Sequence, residues 1–158
     1  MLQIDNNRQM YTKQHINCVS LHFRWGDYKS LQDCHPILDI NYYINAVNYI
    51  RIVDPTITHI YYYCEDDDIE DIEKMVDKIR NEFTDDIIFE RNREENDWEE
   101  MLSMSSCKHN IIANSSFSWW GAYLNNNPEK IVCYPSVWFG HLIQEDNTSM
   151  FPKMWIKI

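Results

Sequence analysis

The sequence predicts an α/β fold built on a parallel, doubly wound sheet. Five short segments rich in β-branched, aromatic or alternating apolar residues have the pattern of buried strands. Segments with apolar residues at helical spacing lie between them. The clearest helical segment has apolar residues at intervals of 3, 4, 3 and 4, namely Ile69, Ile72, Val76, Ile79 and Phe83. Because strands that alternate with helices usually pair in parallel, we expect one open sheet covered on both faces.

The predicted elements follow one another in a regular order. Strands are predicted at 17–23, 57–63, 87–89, 110–113 and 130–134, and the helices between them at 41–53, 68–83, 97–106 and 116–125. Residues 1–16 are polar and patternless, and we expect a linker or a frayed N-terminus there. The predicted domain covers 17–140, and 141–158 is a C-terminal tail. From Ser136 onward no period holds, so the end of the chain is expected to be irregular or weakly helical.

The composition is that of one folded domain with an acidic surface. The chain has 158 residues, 44% of them hydrophobic and 14% aromatic, which suffices for a single core. A formal net charge of −11 repels phosphate, so general binding to nucleic acid is not expected. An anionic ligand would need a local basic pocket. No apolar run reaches membrane-spanning length and the N-terminus does not resemble a signal peptide, so we expect a soluble, cytoplasmic protein.

The cysteines indicate reduced thiols in the core. They are odd in number, widely spaced and contain no C-x-x-C pair: Cys18, Cys34, Cys64, Cys107 and Cys133. This pattern fits neither a disulfide framework nor a zinc site.

Three polar segments follow predicted strands. They are 22–27, 65–68 and 114–118. Because ligands of parallel α/β sheets bind at the carboxyl ends of the strands, we expect these segments to meet at one edge of the sheet. Their convergence predicts a ligand site there.

His22 and Arg24 are expected on the same side of the end of the first strand. The planar guanidinium of Arg24 suits a diphosphate, and its charge can offset the charge that develops on a phosphate leaving group. A surface salt bridge is the alternative for such an arginine. Gly26 and Asp27 then predict a turn in which the glycine lets the backbone approach a ligand closely.

The acidic segment 65–68 allows three interpretations. A carboxylate could recognise guanine by accepting two parallel hydrogen bonds. A D-x-D cluster could instead hold a hard cation. The third interpretation is an acidic start to the following helix, which the helix dipole favours.

The segment 114–118 contributes hydroxyls and backbone N–H groups at a predicted strand-to-helix turn. Such a turn can hold phosphate oxygens, because the first N–H groups of a helix have no partner within it. A serine-rich helix cap without a ligand is the alternative. The apolar side chains that follow are expected to pack the helix onto the sheet: Trp119, Trp120, Tyr123 and Leu124.

Two of these segments carry a family resemblance. HFRWGDY at 22–28 resembles the H-x-R-R-G-D-Y motif of the α-1,2-fucosyltransferases, and NSSFSWWGAYL at 114–124 resembles their second signature. DINYYINAV at 39–47, the acidic segment, and PSVWF at 135–139 occur in the same order. The resemblance covers roughly residues 17–140.

The resemblance implies a function that the residues alone do not give. The family transfers fucose from GDP-fucose to the 2-hydroxyl of a galactoside, with inversion and without a metal or cofactor, on a GT-B fold. The chain would then be the Rossmann-like, nucleotide-binding half of such a fold. A separate partner with the N-terminal half, and a location peripheral to the membrane where acceptors are assembled, are further expectations.

The resemblance also implies roles for individual residues. Arg24 would bind the β-phosphate and stabilise the leaving GDP. The resemblance assigns no catalytic base, and Asp27, taken as the second catalytic residue, and Asp33 are candidates by location only. His22 and one acid of the segment 65–68, with Asp66 and Asp67 as the named candidates, would contact the guanosine. The phosphates would be lined by Asn114, Ser115, Ser116, Phe117 and Ser118.

One position departs from the family motif. Trp25 stands where the family has its second arginine, which removes a positive charge near the expected site. Three hypotheses follow: a fucosyltransferase, a non-catalytic GDP-sugar-binding remnant, or an α/β domain whose motifs are only structural.

Overall fold

A six-stranded, all-parallel sheet forms the centre of the fold. The computed structural model describes residues 17–83 and 86–158. Its strands are β1 (Cys18–His22), β2 (His59–Tyr63), β3 (Ile88–Arg91), β4 (His109–Ile111), β5 (Val132–Tyr134) and β6 (Ile156–Lys157), in the spatial order β3-β2-β1-β4-β5-β6. The chain therefore moves outward in one direction from β1 to β3 and then returns to β4 on the other side of β1. This strand order is that of a Rossmann-like fold and confirms the predicted class.

Four helices connect the strands. They are α1 (Ile40–Val53), α2 (Ile69–Arg80), α3 (Asp97–Ser106) and α4 (Ser116–Tyr123). Two of them begin at a capping residue: Asp39 accepts a hydrogen bond from the N–H of Asn41 before α1, and Asn96 forms a capping box with Glu99 before α3. All four helices begin within two residues of their predicted starts. The loops that precede them therefore lie at the carboxyl ends of the strands, as predicted.

The two faces of the sheet differ in polarity. Val19, Leu21 and Phe23 of the first strand segment pack into the large apolar cluster that α1 and α2 cover. The opposite face carries Ser20, which accepts a hydrogen bond from Asn110 at 2.7 Å. All five residues of β1 are buried, because helices cover both sides. The alternation predicted for this strand therefore separates an apolar layer from a polar layer, both inside the protein.

The C-terminal segment corrects the prediction for the end of the chain. Ile156 and Lys157 form β6, which pairs in parallel with β5, and Trp155 is buried in a second apolar cluster with Trp138. An irregular or weakly helical tail was therefore wrong at this point. The two-residue strand is too short to show a period, and burial of the neighbouring Trp155 accounts for its position.

The aromatic residues of α4 also correct a prediction. The side chains of Trp120 and Tyr123 are exposed, whereas Trp119 packs against the second apolar cluster as predicted, and Ser118, Gly121 and Ala122 are buried. The reason is close packing between α3 and α4: a Cβ at Gly121 would lie 3.2 Å from Cβ of Met104. The small residues together with Trp119, and not Trp120 or Tyr123, therefore form the packed face.

Three other expectations concern the cysteines, the N-terminal segment and membrane-spanning helices. None of the five cysteines forms a disulfide among the described residues, and all except Cys34 are buried. The predicted linker at 1–16 lies outside the described residues. Within the part of the chain that the structure describes, no helix combines the length and apolar character needed to cross a bilayer.

Candidate functional site

A cleft of about 620 Å³ lies over the carboxyl ends of β1, β2, β3 and β4. The order of the strands reverses between β1 and β4, which is the place where open α/β sheets bind ligands. All three predicted segments contribute to its walls. The lining residues are His22, Arg24, Asp27, Tyr28, Leu31, His35, Cys64, Glu65, Asp66, Arg93, Asp97, Glu100, Ser115, Ser116 and Phe117.

Arg24 extends from the end of β1 into this cleft. Its Nη1 donates to the carboxylate of Glu65, and its Nη2 donates to Asp27 Oδ1 at 2.7 Å. All three side chains are partly exposed, so water and ions reach these pairs. Arg24 is therefore not locked in the core, and its donors face the space that a ligand would fill.

Gly26 shapes the turn that follows Arg24. Its φ of +31° lies in the left-handed region that favours glycine, and a Cβ there would lie 2.8 Å from the carboxylate of Glu65. The N–H of Gly26 donates to the buried Asp68 at 2.6 Å, and Lys29 pairs with the same carboxylate at 2.6 Å. Asp68 thus fixes the turn, and this turn brings Asp27 back toward Arg24.

His22 is buried at the base of the cleft, next to Phe117 at 5.6 Å between ring centroids. Burial, and to a smaller extent the charge of Arg24, lowers the pKa of His22 to about 3. The imidazole is therefore neutral at physiological pH. Its Nδ1 has no hydrogen-bond partner among the described residues. A buried polar atom without a partner costs free energy unless a ligand or water satisfies it.

The turn before α4 forms the wall opposite the acidic segment. Ser115 is the N-cap residue, but its side chain makes no capping hydrogen bond. The alternative of a serine cap without a ligand therefore lacks its defining contact. Ser115, Ser116 and Phe117 line the cleft at the start of α4, where the first N–H groups of a helix can bind an anion.

The acidic segment divides its carboxylates among different partners. Asp66 lies at the cleft and binds Arg91 and Arg93, each at 2.6 Å. Asp67 is exposed and lies outside the cleft lining. Glu65 pairs with Arg24, and Asp68 is buried in the turn. Within 17–83 and 86–158, no three His, Cys, Asp or Glu side chains are grouped so that they could hold a metal ion.

Three further predicted residues lie away from the cleft lining. Asn114 is buried and donates to the carbonyls of Pro36 and Trp138. The hydroxyl of Ser118, also buried, donates to Ala113 and Ser115 carbonyls at 3.4 and 3.3 Å. Asp33 is exposed beside His141. The geometry gives the first two a part in shaping the turn and places Asp33 outside the site.

Sequence reasoning missed several lining residues. Arg93 and Glu100 come from the loop after β3 and from α3, and their charged atoms approach to 3.5 Å. Burial raises the pKa of Glu100. Tyr28 and His35 come from the segment after β1 and stack at 4.9 Å. The same rule that selected the ends of β1, β2 and β4 would have selected Arg93, because it follows β3.

Trp25 lies outside the cleft lining and packs against the main apolar cluster, with Lys29 5.6 Å from its ring. Trp25, which replaces the second arginine of the motif, therefore covers the apolar core and does not contribute to the cleft. Arg93 supplies a second guanidinium from another strand end.

A Rossmann-like sheet with an arginine, a neutral histidine and a helix N-terminus around one cleft defines an open α/β protein whose cleft suits an anionic ligand. The chain belongs to glycosyl transferase family 11, whose family model matches residues 3–158. This confirms the resemblance seen in the two motifs.

Two curated relatives come from Escherichia coli. An alpha-1,2-colitosyltransferase is 34% identical over 148 residues, which cover 90% of this chain and 48% of that protein. The O-antigen biosynthesis glycosyltransferase WbnK is 34% identical over 145 residues, which cover 88% and 46%. The chain thus spans about half the length of these relatives. No solved structure matches it.

Proposed function

We propose that this chain binds GDP-fucose and takes part in the inverting transfer of fucose to the 2-hydroxyl of a galactoside. The observation that carries the proposal is the position of Arg24 across one cleft from the turn Ser115–Phe117. A guanidinium and a helix N-terminus on opposite walls are complementary to a diphosphate. The coarser activity, glycosyl transfer, is that of the family.

The nucleoside would occupy the part of the cleft between His22 and the acidic wall. Nδ1 of His22 offers an unsatisfied polar atom, and a carboxylate can accept the two parallel N–H groups of guanine. Asp66 and Asp67 are the acids expected from the resemblance. Because two arginines already bind Asp66, Glu100 is a further candidate for this contact.

In the proposed reaction, the acceptor oxygen forms a bond to the anomeric carbon of fucose as the bond to the β-phosphate oxygen breaks. GDP leaves with the electron pair, and Arg24 stabilises the added negative charge on the diphosphate. The proton of the acceptor hydroxyl passes to a base. Asp27 is the candidate for that base, since its side chain is exposed in the cleft beside Arg24.

Metal independence is part of the proposal. The carboxylates that a D-x-D site would use are engaged by the protein: Asp66 by Arg91 and Arg93, and Asp68 by Lys29 and the N–H of Gly26. A cation would have to displace these partners. Arg24 can supply the positive charge that a metal gives to other transferases.

Two alternatives have specific support. The name of one relative favours colitose as the transferred sugar. GDP-sugar binding without transfer is the second alternative, because the match covers about half of each relative.

Calorimetry followed by a transfer assay tests the proposal. We expect GDP and GDP-fucose to bind with micromolar dissociation constants, and UDP, the matched control, to bind at least about 10-fold more weakly. Absence of GDP binding would eliminate every GDP-sugar hypothesis. The transfer assay then uses GDP-fucose or GDP-colitose with a galactoside and EDTA. Product formation in the presence of EDTA supports a metal-independent transferase. Faster transfer from GDP-colitose than from GDP-fucose would make colitose the transferred sugar. Binding of GDP without any product supports the non-catalytic alternative.

A further inference from the structure

Tyr28 contacts both walls of the cleft. Its hydroxyl donates a hydrogen bond to the backbone carbonyl of Asn114 at 3.1 Å, and Asn114 directly precedes the turn that begins with Ser115. Its ring lies against the guanidinium of Arg24, with Cζ 5.2 Å from the ring centroid. One side chain therefore links the cation of the cleft to the opposite, phosphate-binding wall.

The ring of Tyr28 is itself held in place. It stacks on His35 with centroids 4.9 Å apart and planes at 22°, and His35 in turn faces Phe139 at 5.9 Å. Burial raises the pKa of Tyr28, so its hydroxyl remains protonated and able to donate at neutral pH. These contacts give the ring one orientation under the guanidinium.

The contact between Tyr28 and Arg24 differs in kind from the other contacts of this arginine. Glu65 and Asp27 bind the N–H groups in the guanidinium plane. A diphosphate needs those same N–H donors, so at least one carboxylate must leave when it binds. Tyr28 contacts the same guanidinium through its ring, over which Arg24 Cζ lies, and this ring contact does not depend on either carboxylate. It can therefore remain in place while the partners in the plane change.

We propose that Tyr28 is a positioning residue that keeps Arg24 directed into the cleft, and at a fixed spacing from the Ser115 turn, while the diphosphate replaces the carboxylates. This inference rests on the proposed function, because it assigns Tyr28 to the binding of the diphosphate. Tyr28 acts through Arg24 and the Asn114 carbonyl and need not touch the nucleoside.

Two substitutions separate the ring from the hydroxyl. Tyr28→Phe keeps the ring and should weaken GDP binding about 5-fold through loss of one hydrogen bond. Tyr28→Leu removes both contacts and should weaken it about 20-fold or more. Tyr49→Leu is the matched control, since Tyr49 lies on α1 away from the cleft, and its GDP affinity should be unchanged.

Comparison with guanosine distinguishes positioning of Arg24 from a general structural role. Guanosine lacks the diphosphate, so its affinity, measured by ligand-detected NMR, should change less than about 2-fold in either Tyr28 variant. Circular dichroism checks that each variant is folded. Equal losses for GDP and guanosine, or a leucine variant that binds GDP as tightly as the wild type, would overturn the inference and leave the proposed function standing. If the wild-type protein binds no GDP, both fail.

Discussion

Two buried histidines lie at opposite ends of the parallel strands and have contrasting surroundings. We call the end where the strands begin the amino edge, and the end where they finish the carboxyl edge. His109 begins β4 at the amino edge, where Nε2 contacts Asp54 at 2.9 Å and Nδ1 accepts the N–H of Ile131 at 3.0 Å. His22 ends β1 at the carboxyl edge, where Nδ1 has no partner among the described residues. Burial lowers the pKa of both, so both are neutral. They differ in their hydrogen bonds: the protein supplies a partner for each ring nitrogen of His109 but, in the part of the chain that the structure describes, none for Nδ1 of His22.

The same contrast extends to the charges beside each histidine. In the amino-edge cluster, formed by Asp54, Lys108 and His109, the carboxylate binds Lys108 at 2.5 Å and its side chain is only 15% exposed. At the carboxyl edge, Arg24 is held by two exposed carboxylates that solvent can replace. A closed set of polar contacts indicates a structural role, whereas an open set around a cleft indicates a ligand site.

Removal of the cation at each edge should give the largest contrast. Arg24→Ala should weaken GDP binding about 100-fold or more, because two charge-assisted hydrogen bonds are lost, with little change in the unfolding free energy. The measurements are calorimetry and urea unfolding. Lys108→Ala is the matched control and should lower stability while GDP affinity stays the same. Unchanged GDP affinity in Arg24→Ala would contradict the role of the cleft.

Replacing each histidine by leucine should separate stability from binding. His109→Leu leaves the N–H of Ile131 without a partner and removes one of the partners of Asp54, which keeps Lys108, and it should cost about 1–3 kcal/mol of unfolding free energy. His22→Leu removes an unsatisfied polar atom, so its stability should change by less than about 1 kcal/mol, while GDP affinity falls about 5- to 10-fold. A reversed pattern in urea unfolding and calorimetry would break the comparison.

The pH dependence of stability should report both histidines. A folded-state pKa below the unfolded value of 6.5 means that the unfolded chain binds more protons below that pH. Stability is then fully present above pH 6.5 and falls on acidification, by about 1.4 kcal/mol per pH unit for His22 until its folded-state pKa of about 3 is reached. Urea unfolding from pH 7.5 to 4.5 should show this slope for His22, and His22→Leu should flatten it. Identical slopes would contradict the neutral, buried state of this ring.

The smallest contrast concerns two serines of α4. Ser116→Ala removes an exposed hydroxyl from the cleft and should weaken GDP binding about 3-fold without loss of stability. Ser118→Ala removes the hydroxyl bonded to two backbone carbonyls and should cost about 1 kcal/mol of stability with GDP affinity unchanged. If Ser118→Ala weakens GDP binding instead, the phosphate contact that the family resemblance implies for Ser118 is supported.

The sequence was sufficient for elements with a strong local pattern. The 3- and 4-residue spacing from Ile69 to Ile79 predicted α2, and the alternation around Val19 predicted β1 together with the side on which His22 lies. Because parallel strand ends share one edge, the convergence of the three polar segments followed as well. Seven of the predicted site residues line the cleft: His22, Arg24, Asp27, Asp66, Ser115, Ser116 and Phe117.

The remaining features depend on contacts that no local pattern encodes. β6 exists because Ile156 and Lys157 pair with the edge of β5. The exposure of Trp120 follows from the close approach of Gly121 to Met104 on another helix. Tyr28 reaches Asn114 across 86 positions of sequence, and the partners of Asp66 come from another strand end. Such long-range contacts are properties of the assembled sheet.

The paired state of Arg24 has a consequence for the release of a product. Glu65 and Asp27 are attached to the same cleft, so they compete with any diphosphate at a high effective concentration. A ligand binds only to the fraction of molecules in which the guanidinium is available, which weakens its apparent affinity by that fraction. As a spent nucleotide begins to dissociate, the carboxylates can return to Arg24 and hinder rebinding. Glu65 and Asp27 would thus weaken the binding of GDP and speed the return of the site to its unliganded state.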